Sequence, residues 1–180
     1  MAVTTADDRA AALKAHIRDV PDFPKPGILF KDITPLLANA AAFQSSIELL
    51  AARIAAHTPQ ALVAIESRGF IFGAALAREL QLPLLLVRKP GKLPWKTAEI
   101  SYQLEYGEDR LQIHGDAIEP AARYAIVDDV LATGGTAAAA SDLVRQQGGR
   151  VVCCAFLMEL AFLAGRERLG DAALESLLTY

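Results

Sequence analysis

The segment AIVDDVLATGGT, residues 125–136, decides the fold. Its first half is an apolar run that ends in two aspartates, which is typical of a buried strand that reaches the edge of a sheet. Its second half contains small residues and threonines and leads into a helix predicted over residues 135–147. A strand, a tight loop and a helix in this order are the repeating unit of a parallel α/β sheet.

Strand and helix signals alternate on both sides of this segment. Four prolines and a glycine make residues 21–35 an ordered but irregular excursion. We therefore predict an α/β fold with a mainly parallel sheet flanked by helices, in one domain that spans residues 1–180. The remaining predicted elements are helices over residues 6–19, 40–57, 69–80 and 161–169, strands over 61–65, 84–87, 124–129, 151–158 and 174–180, and a hairpin formed by 99–106 and 110–114.

The composition excludes several classes of protein. With 180 residues, 53% of them apolar and 22% charged, the chain can bury its own core. A net charge of −3 argues against a broad basic face for nucleic acid. The most apolar stretch, residues 151–164, is too short to span a bilayer and contains Glu159. Since the start, MAVTTADDR, lacks the features of a signal peptide, we expect a cytoplasmic protein.

The cysteines and histidines give no sign of a metal or a disulfide. Cys153 and Cys154 are neighbours in a predicted strand, where alternation directs their side chains to opposite faces. We interpret both as small packing residues. His16, His57 and His114 lack the spacing of metal ligands, and surface or capping roles fit them better.

Asp128 and Asp129 lie where ligands collect, at the carboxyl end of a predicted parallel strand. If the strand frays there, both carboxylates can reach one ligand, either as acceptors for vicinal sugar hydroxyls or through water on a divalent cation. The loop that follows allows backbone amides to approach an anion, and a helix N-terminus adds positive potential. Taken separately, the aspartates and glycines would suit a solvated strand end and turn. In this order they predict a site for a phosphorylated sugar.

The segment has neither the P-loop pattern nor the Gly-x-Gly-x-x-Gly pattern. It closely resembles the signature of type I phosphoribosyltransferases, which bind 5-phosphoribosyl 1-pyrophosphate (PRPP) and Mg²⁺. The resemblance implies that Asp128 and Asp129 bind the ribose hydroxyls, and that Mg²⁺ is held through PRPP and water without an assigned protein ligand. It also implies a loop that cradles the 5-phosphate, formed by Ala132, Thr133, Gly134, Gly135 and Thr136.

Two further segments supply candidates for the diphosphate. ESRG, residues 66–69, joins a strand to a helix and is a second junction suited to an anion. By resemblance, Ser67 and Arg68 lie on the pyrophosphate side, although a simple helix cap is the alternative. In RKPGKLP, residues 88–94, Arg88 and Lys92 resemble cations that meet the diphosphate. A solvated basic loop is the alternative there, and Lys89 is interpreted as solvated.

The base-binding and catalytic residues rest on resemblance alone. Residues 21–35 and 101–107 are similar to the adenine-specific members of the family. This implies a hood at residues 21–35 in which Phe30 stacks on the purine and the backbone of Leu29 reads its edge. It also implies a flexible catalytic loop at residues 90–107. Lys31, where the family often has Arg, and Val130 complete the adenine-binding set, and Glu105 and Tyr106 are the catalytic pair.

The implied reaction is purine salvage: adenine and PRPP give AMP and pyrophosphate, with Mg²⁺ as cofactor, in a cytoplasmic homodimer that binds neither nucleic acid nor membrane. Phe30 and Leu29 could instead be core residues, and Glu105 and Tyr106 could be ordinary hairpin residues. Two other functions stay open. One is a phosphoribosyltransferase for hypoxanthine, guanine or xanthine, and the other is a non-catalytic PRPP-binding regulator.

Overall fold

The computed structural model describes residues 5–104 and 107–180, apart from the side chains of residues 104, 107 and 108. The chain divides into two compact units, residues 1–49 and residues 50–180. No helix in the described ranges is both long enough and apolar enough to cross a membrane.

The first unit combines helices with a small antiparallel sheet. Helix α1 (Ala6–Leu13) begins at a capping box formed by Thr5 and Asp8. Its last turn continues as a short 3-10 helix (Lys14–His16), and strand β1 (Arg18–Pro21) pairs with β2 (Leu29–Asp32). Helix α2 (Thr34–Leu37) follows, and α3 (Ala40–Ala55) begins in this unit and ends in the second.

Two predictions were wrong in this unit. The helix predicted to reach residue 19 ends as an α-helix at Leu13, and residues 18–21 form a strand. The stretch predicted to be irregular contains β2. Both errors have one cause, because β1 and β2 are defined by pairing with each other across an intervening loop. Periodicity along the chain does not report such a pairing.

The second unit is built on a parallel sheet. In the described part of the chain its strand order is β4-β3-β7-β8-β9, and every neighbouring pair is parallel. Helices α4 (Gly69–Leu80) and α5 (Gly135–Gln146) connect strands of this sheet. The α/β prediction is confirmed. The strands are β3 (Ala61–Ile65), β4 (Leu84–Val87), β7 (Arg123–Leu131), β8 (Arg150–Glu159) and β9 (Ala173–Thr179).

The apolar runs of the sequence become the central strands because both faces of the sheet are covered. All five residues of β3 are buried, as expected of a strand packed on both faces. Gly73 brings α4 close to this strand, since a Cβ added there would lie 2.5 Å from the Cβ of Ala64. Cys153 and Cys154 are free and buried, as predicted, and burial raises the pKa of the Cys153 thiol to about 12.

The predicted hairpin is also present, formed by β5 (Thr97–Leu104) and β6 (Gly107–His114). The short helix predicted near residues 161–169 consists of two 3-10 segments, Ala161–Leu163 and Gly165–Arg168.

The order of the strands determines where a site can form. Strands β3 and β7 are neighbours, so the segments that follow their carboxyl ends meet at one edge of the sheet. The sequence interpretation supposed that β7 frays at the aspartates, and this was wrong. The strand continues to Leu131, and both Val130 and Leu131 remain paired with β8.

Candidate active site

A cleft of about 340 Å³ lies at this edge of the sheet. Two segments and one further residue form its walls: residues 66–68 after β3, residues 128–137 from the end of β7 into α5, and Lys89 after β4. The lining residues are Glu66, Ser67, Arg68, Lys89, Asp128, Asp129, Val130, Leu131, Ala132, Thr133, Gly134, Gly135, Thr136 and Ala137. All the residues predicted for the ribose and the 5-phosphate are among them.

The loop before α5 is shaped by backbone contacts. Gly134, the N-cap residue, has φ +79°, and its carbonyl accepts a hydrogen bond from the amide of Ala138. A Cβ at Gly134 would lie 2.2 Å from the carbonyl oxygen of Gly165, so only glycine fits. In the described structure no side chain caps this helix end. The first amides of α5 therefore remain available to an anion in the cleft.

The two aspartates have different environments although both line the cleft. The side chain of Asp129 is 5% exposed, and its Oδ2 accepts a 2.5 Å hydrogen bond from Nε of Arg68. The Oδ1 of Asp128 accepts a hydrogen bond from the amide of Asp129 at 2.9 Å. Burial, followed by the negative charge of Asp129, raises the pKa of Asp128 well above its ordinary value. The two aspartates thus differ, because Asp129 is ion-paired with Arg68 whereas burial and the neighbouring charge disfavour the ionised form of Asp128.

The junction after β3 approaches the aspartates closely. A Cβ added to Gly69 would lie 2.8 Å from Oδ1 of Asp128, so glycine is required for α4 to begin beside the end of β7. The peptide bond between Glu66 and Ser67 is cis. No side chain in the described part of the chain caps α4, and the amides of Phe70 and Ile71 donate to the carbonyls of Ser67 and Arg68 at 3.2 and 3.1 Å. The positive end of the helix therefore begins at this junction with its first amide, that of Gly69.

Of the three cations in residues 88–94, after β4, Lys89 lines the cleft, whereas Arg88 and Lys92 do not. Arg88 donates hydrogen bonds to Glu66 from Nε at 3.2 Å and from Nη2 at 3.3 Å, and also to the carbonyl of Lys92. Neither Arg88 nor Lys92 lines the cleft, and Lys92 is exposed. Lys89, interpreted as solvated, does line it. Of the four residues predicted for the diphosphate, the structure brings Ser67 and Arg68 to the cleft.

Glu66 was missed by the sequence interpretation and organises this region. Its Oε2 accepts a hydrogen bond from the amide of Lys89 at 2.9 Å as well as from Arg88. Burial acts to raise the pKa of Glu66, but the hydrogen bonds from Lys89 and Arg88 and the nearby positive charges outweigh it, so the pKa is lowered. An ionised Glu66 therefore ties the segment after β3 to the segment after β4.

A second network joins the hairpin to the phosphate loop. The ammonium of Lys89 bonds to Asp109, and the hydroxyl of Tyr102 lies 3.2 Å from Oδ2 of Asp109 and 3.3 Å from Oγ1 of Thr136. Burial acts to lower the pKa of Lys89, but the bond to Asp109 and the other contacts outweigh it and raise the pKa. Lys89 is thus a cation at the cleft, held by the hairpin.

The predicted base-binding residues fall in both units. Leu29, which is 49% exposed, Phe30 and Lys31 all belong to β2. The ring of Phe30 meets Phe23 edge to face at 5.2 Å, and Lys31 bonds to Asp19 at 2.6 Å. Val130, in the second unit, lines the cleft.

The predicted catalytic pair, Glu105 and Tyr106, lies outside the described residues. Their roles therefore stay predictions. The described strands on either side, β5 and β6, carry the Tyr102 and Asp109 network.

Sequence reasoning missed Glu66, Tyr102 and Gly165, and only Glu66 had a local clue in the sequence. Glu66 directly precedes the predicted Ser67, and its acidity at a strand end was the available clue. Tyr102 and Gly165 gave no local clue, because their importance comes from contacts with Thr136 and Gly134 that are distant in sequence.

A parallel sheet with two uncapped helix N-termini beside paired aspartates is the arrangement of a phosphoribosyl-binding fold. In agreement, residues 32–171 match the phosphoribosyl transferase domain, and the chain belongs to this family. Its relatives include the adenine phosphoribosyltransferase of Sorangium cellulosum, 57% identical over 89% of this chain and 82% of the relative. That of Geobacter metallireducens is 55% identical over 93% of this chain and 98% of the relative.

Solved structures agree with these relatives. The adenine phosphoribosyltransferase of Thermoanaerobacter pseudethanolicus has a TM-score of 0.92 and 49% identity, and the match covers 95% of this chain and 99% of that one. The Saccharomyces cerevisiae enzyme, solved with an imino-altritol bisphosphate and adenine, has a TM-score of 0.88 and 40% identity over 94% and 98% of the two chains. Within its family, the chain falls among the adenine phosphoribosyltransferases.

Proposed function

We propose that this protein transfers the 5-phosphoribosyl group of PRPP to adenine, giving AMP and pyrophosphate in purine salvage. The observation that carries the proposal is the pairing of two anion-suited helix N-termini, α4 and α5, on either side of Asp128 and Asp129. PRPP has phosphate groups at both ends of a ribose that carries two hydroxyls. The order of groups in the cleft matches the order of groups in this molecule.

The 5-phosphate binds in the loop formed by residues 132–136. A phosphate monoester there accepts hydrogen bonds from the free amides of α5 and meets the positive end of the helix dipole. The hydroxyls of Thr133 and Thr136 add donors from residues that line the cleft. The ribose then lies over β7, where the carboxylates of Asp128 and Asp129 accept bonds from its 2- and 3-hydroxyls.

The diphosphate binds at the opposite junction. Ser67 and Arg68 line the cleft at this junction, and Lys89 supplies a further cation. Arg88 and Lys92 are assigned to the same group by family resemblance, and Glu66 holds Arg88 near this segment. Positive charge is needed here because the leaving group gains negative charge as it departs.

Adenine is assigned to Val130, which lines the cleft, and by family resemblance to the hood residues Leu29 and Phe30. A backbone amide and carbonyl at Leu29 can read both the donor and the acceptor on the adenine edge. The ammonium of Lys31 is paired with Asp19, so Lys31 serves as a support of the hood more readily than as a reader of the base.

The chemistry exchanges one bond at ribose C1 for another. The bond from C1 to the diphosphate oxygen breaks and its electron pair leaves with the diphosphate. The lone pair of adenine N9 forms the new bond, and the proton of N9 passes to Glu105. A single positioned donor is typically worth about 10²–10³ in rate, so loss of one cleft cation should be readily measurable.

Mg²⁺ is part of the proposal as a companion of PRPP. Among the described residues, no group of three or more acidic, histidine or cysteine side chains could hold a metal on its own. Mg²⁺ commonly takes most of its ligands from substrate phosphates and water, and PRPP supplies such phosphates. When bound, it would neutralise the charge of the diphosphate.

The deciding experiment incubates the protein with PRPP, Mg²⁺ and one purine at a time: adenine, hypoxanthine, guanine or xanthine. We expect AMP and pyrophosphate from adenine alone. Product from another purine without AMP would overturn the base assignment. PRPP binding without turnover of any purine would favour a regulator. Scattering measurements of molar mass test the expected homodimer, and fractionation of the source cells tests the expected cytoplasmic location.

The role of Glu105 is tested by Glu105→Gln, which removes the proton acceptor and keeps the shape. We expect kcat to fall by about 10²-fold, the usual contribution of a general base, with little change in PRPP affinity. Glu119→Gln, the same change at an exposed position, is the control. Equal losses of turnover and affinity in Glu105→Gln would contradict the assigned role.

A further inference from the structure

The 5-phosphate loop is supported by a segment that the proposed mechanism does not use. A Cβ on Gly134 would lie 2.2 Å from the carbonyl oxygen of Gly165, and a Cβ on Gly165 would lie 2.2 Å from the carbonyl oxygen of Ala132. The backbone of Gly165 therefore packs directly against the loop, with no side chain between them. A displacement of Gly165 is transmitted to the loop because no flexible group can absorb it.

An ion pair between a buried carboxylate, Glu159, and an arginine that is 60% exposed, Arg166, holds the residue that follows Gly165. The side chain of Glu159, at the end of β8, is 1% exposed. Arg166 directly follows Gly165 in the chain. The carboxylate of Glu159 accepts two hydrogen bonds from Arg166, from Nε at 2.7 Å and from Nη2 at 2.6 Å. This two-pronged contact fixes the orientation of the guanidinium as well as its distance.

Backbone hydrogen bonds hold Glu159 in the parallel sheet. The backbone of Glu159 is paired with β7 at Leu131 and with β9 at Thr179. The amide of Leu160 donates to the carbonyl of Leu131 at 2.9 Å. Glu159 is thus attached to the same strand that carries Asp128 and Asp129, so the ion pair relates Gly165 to the ribose side of the cleft.

We propose that the Glu159–Arg166 pair is a positioning device for the 5-phosphate loop, which holds Gly165 against Ala132 and Gly134. The inference rests on the proposed function for the identity of the ligand. Neither residue lines the cleft, and we assign neither a contact with the substrate. Their effect is on the geometry of the amides that bind the phosphate. A pair that merely stabilised the fold would lower the unfolding temperature without changing phosphate affinity.

The test compares Arg166→Lys with Arg145→Lys. Lysine keeps the charge and cannot reproduce the two-pronged contact. Arg145 forms an exposed ion pair with Asp142 at 3.0 Å on α5, the helix that follows the same loop, and provides the matched control. The affinity for ribose 5-phosphate is measured by calorimetry, which requires no turnover, together with KM for PRPP and for adenine and the unfolding temperature.

We expect Arg166→Lys to raise both the Kd of ribose 5-phosphate and the KM of PRPP about tenfold, as sub-ångström misplacement of a binding group can. The KM of adenine should change less than twofold, and Arg145→Lys should resemble the unmodified protein. Glu159→Gln, which keeps an acceptor but removes the charge, should show the same pattern and serves if Arg166→Lys does not fold.

Unchanged phosphate affinity in a folded Arg166→Lys or Glu159→Gln variant, with only a lower unfolding temperature, would overturn the proposal. Absence of ribose 5-phosphate binding by the unmodified protein would also overturn it. If the unmodified protein binds ribose 5-phosphate but forms no AMP from adenine, the proposed function fails. The calorimetric comparison still decides the positioning role in that case.

Discussion

Replacing Gly134 with alanine tests whether close backbone packing shapes the phosphate site. The new Cβ would lie 2.2 Å from the carbonyl oxygen of Gly165, whereas real Cβ atoms essentially never come within 3.0 Å of such an atom. The loop and Gly165 must therefore separate by at least 0.8 Å. Alanine at φ +79° adds a backbone cost of about 1–2 kcal/mol.

Gly170→Ala separates these two effects. Gly170 has φ +65°, close to that of Gly134, but its nearest neighbour, Nη2 of Arg145, is 3.9 Å from the added Cβ. This variant carries the backbone cost without the displacement. Both variants should lose about 2–4 °C of unfolding temperature for each kcal/mol. Only Gly134→Ala should lose catalytic efficiency, by about 10²-fold, since a misplacement near 1 Å can have this effect.

The assay measures AMP formation with PRPP varied at saturating adenine, alongside thermal unfolding of both variants. The informative quantity is the ratio of their kcat/KM values for PRPP. If Gly134→Ala retained kcat/KM within about threefold of Gly170→Ala, the contact with Gly165 could not be controlling the loop, because 10²-fold is expected from the displacement.

Two other predictions follow from the titrating and hydroxyl groups of the cleft. Tyr102→Phe removes the hydroxyl near Thr136 and should raise the KM of PRPP about fivefold, the value of one net hydrogen bond; an unchanged KM would show that the network does not support the loop. The pKa of Asp128 is raised in the folded protein. Between the ordinary aspartate pKa and this raised pKa, the folded protein therefore keeps a proton that the unfolded chain has lost. The contribution of Asp128 to stability falls as pH rises through this range. Urea unfolding in EDTA between about pH 4 and pH 8 should therefore show Asp128→Asn gaining stability relative to the unmodified protein as pH rises, and a constant difference would contradict the assigned environment.

The parallel sheet was predictable because its signals are local. Strands at residues 61–65 and 84–87 and the helix at 69–80 have the predicted bounds. Each strand is a short apolar run; β3 is buried throughout, whereas β4, at the edge of the sheet, leaves Leu86 exposed. The same reasoning failed for β1 and β2, which exist through their mutual pairing. A strand defined by a distant partner has no periodic signature of its own.

The site residues that lie at the carboxyl end of a single strand could be predicted from the sequence. Residues 128–136 and the Ser67–Arg68 junction line the cleft because they form or follow the carboxyl ends of β7 and β3, which are neighbours in one parallel sheet. The segment after β4 was harder. Arg88, Lys89 and Lys92 are close in sequence, yet the contacts of Glu66 and Asp109 orient them differently. Those contacts depend on how β3, β4 and the hairpin assemble, which residue spacing does not encode.

The geometry of the anion-binding site therefore depends on contacts between segments that are distant in sequence. Gly69 permits α4 to begin beside Asp128, and Gly134 permits the loop before α5 to rest on Gly165. In each case a glycine allows a helix to begin in close contact with a segment that is distant in sequence, and that contact fixes the position of the helix N-terminus. A motif such as ATGGT identifies a turn that can bind phosphate. The contacts with Gly165, Tyr102 and the Glu159–Arg166 pair determine its position, which is why variants outside the motif should change PRPP affinity without touching PRPP.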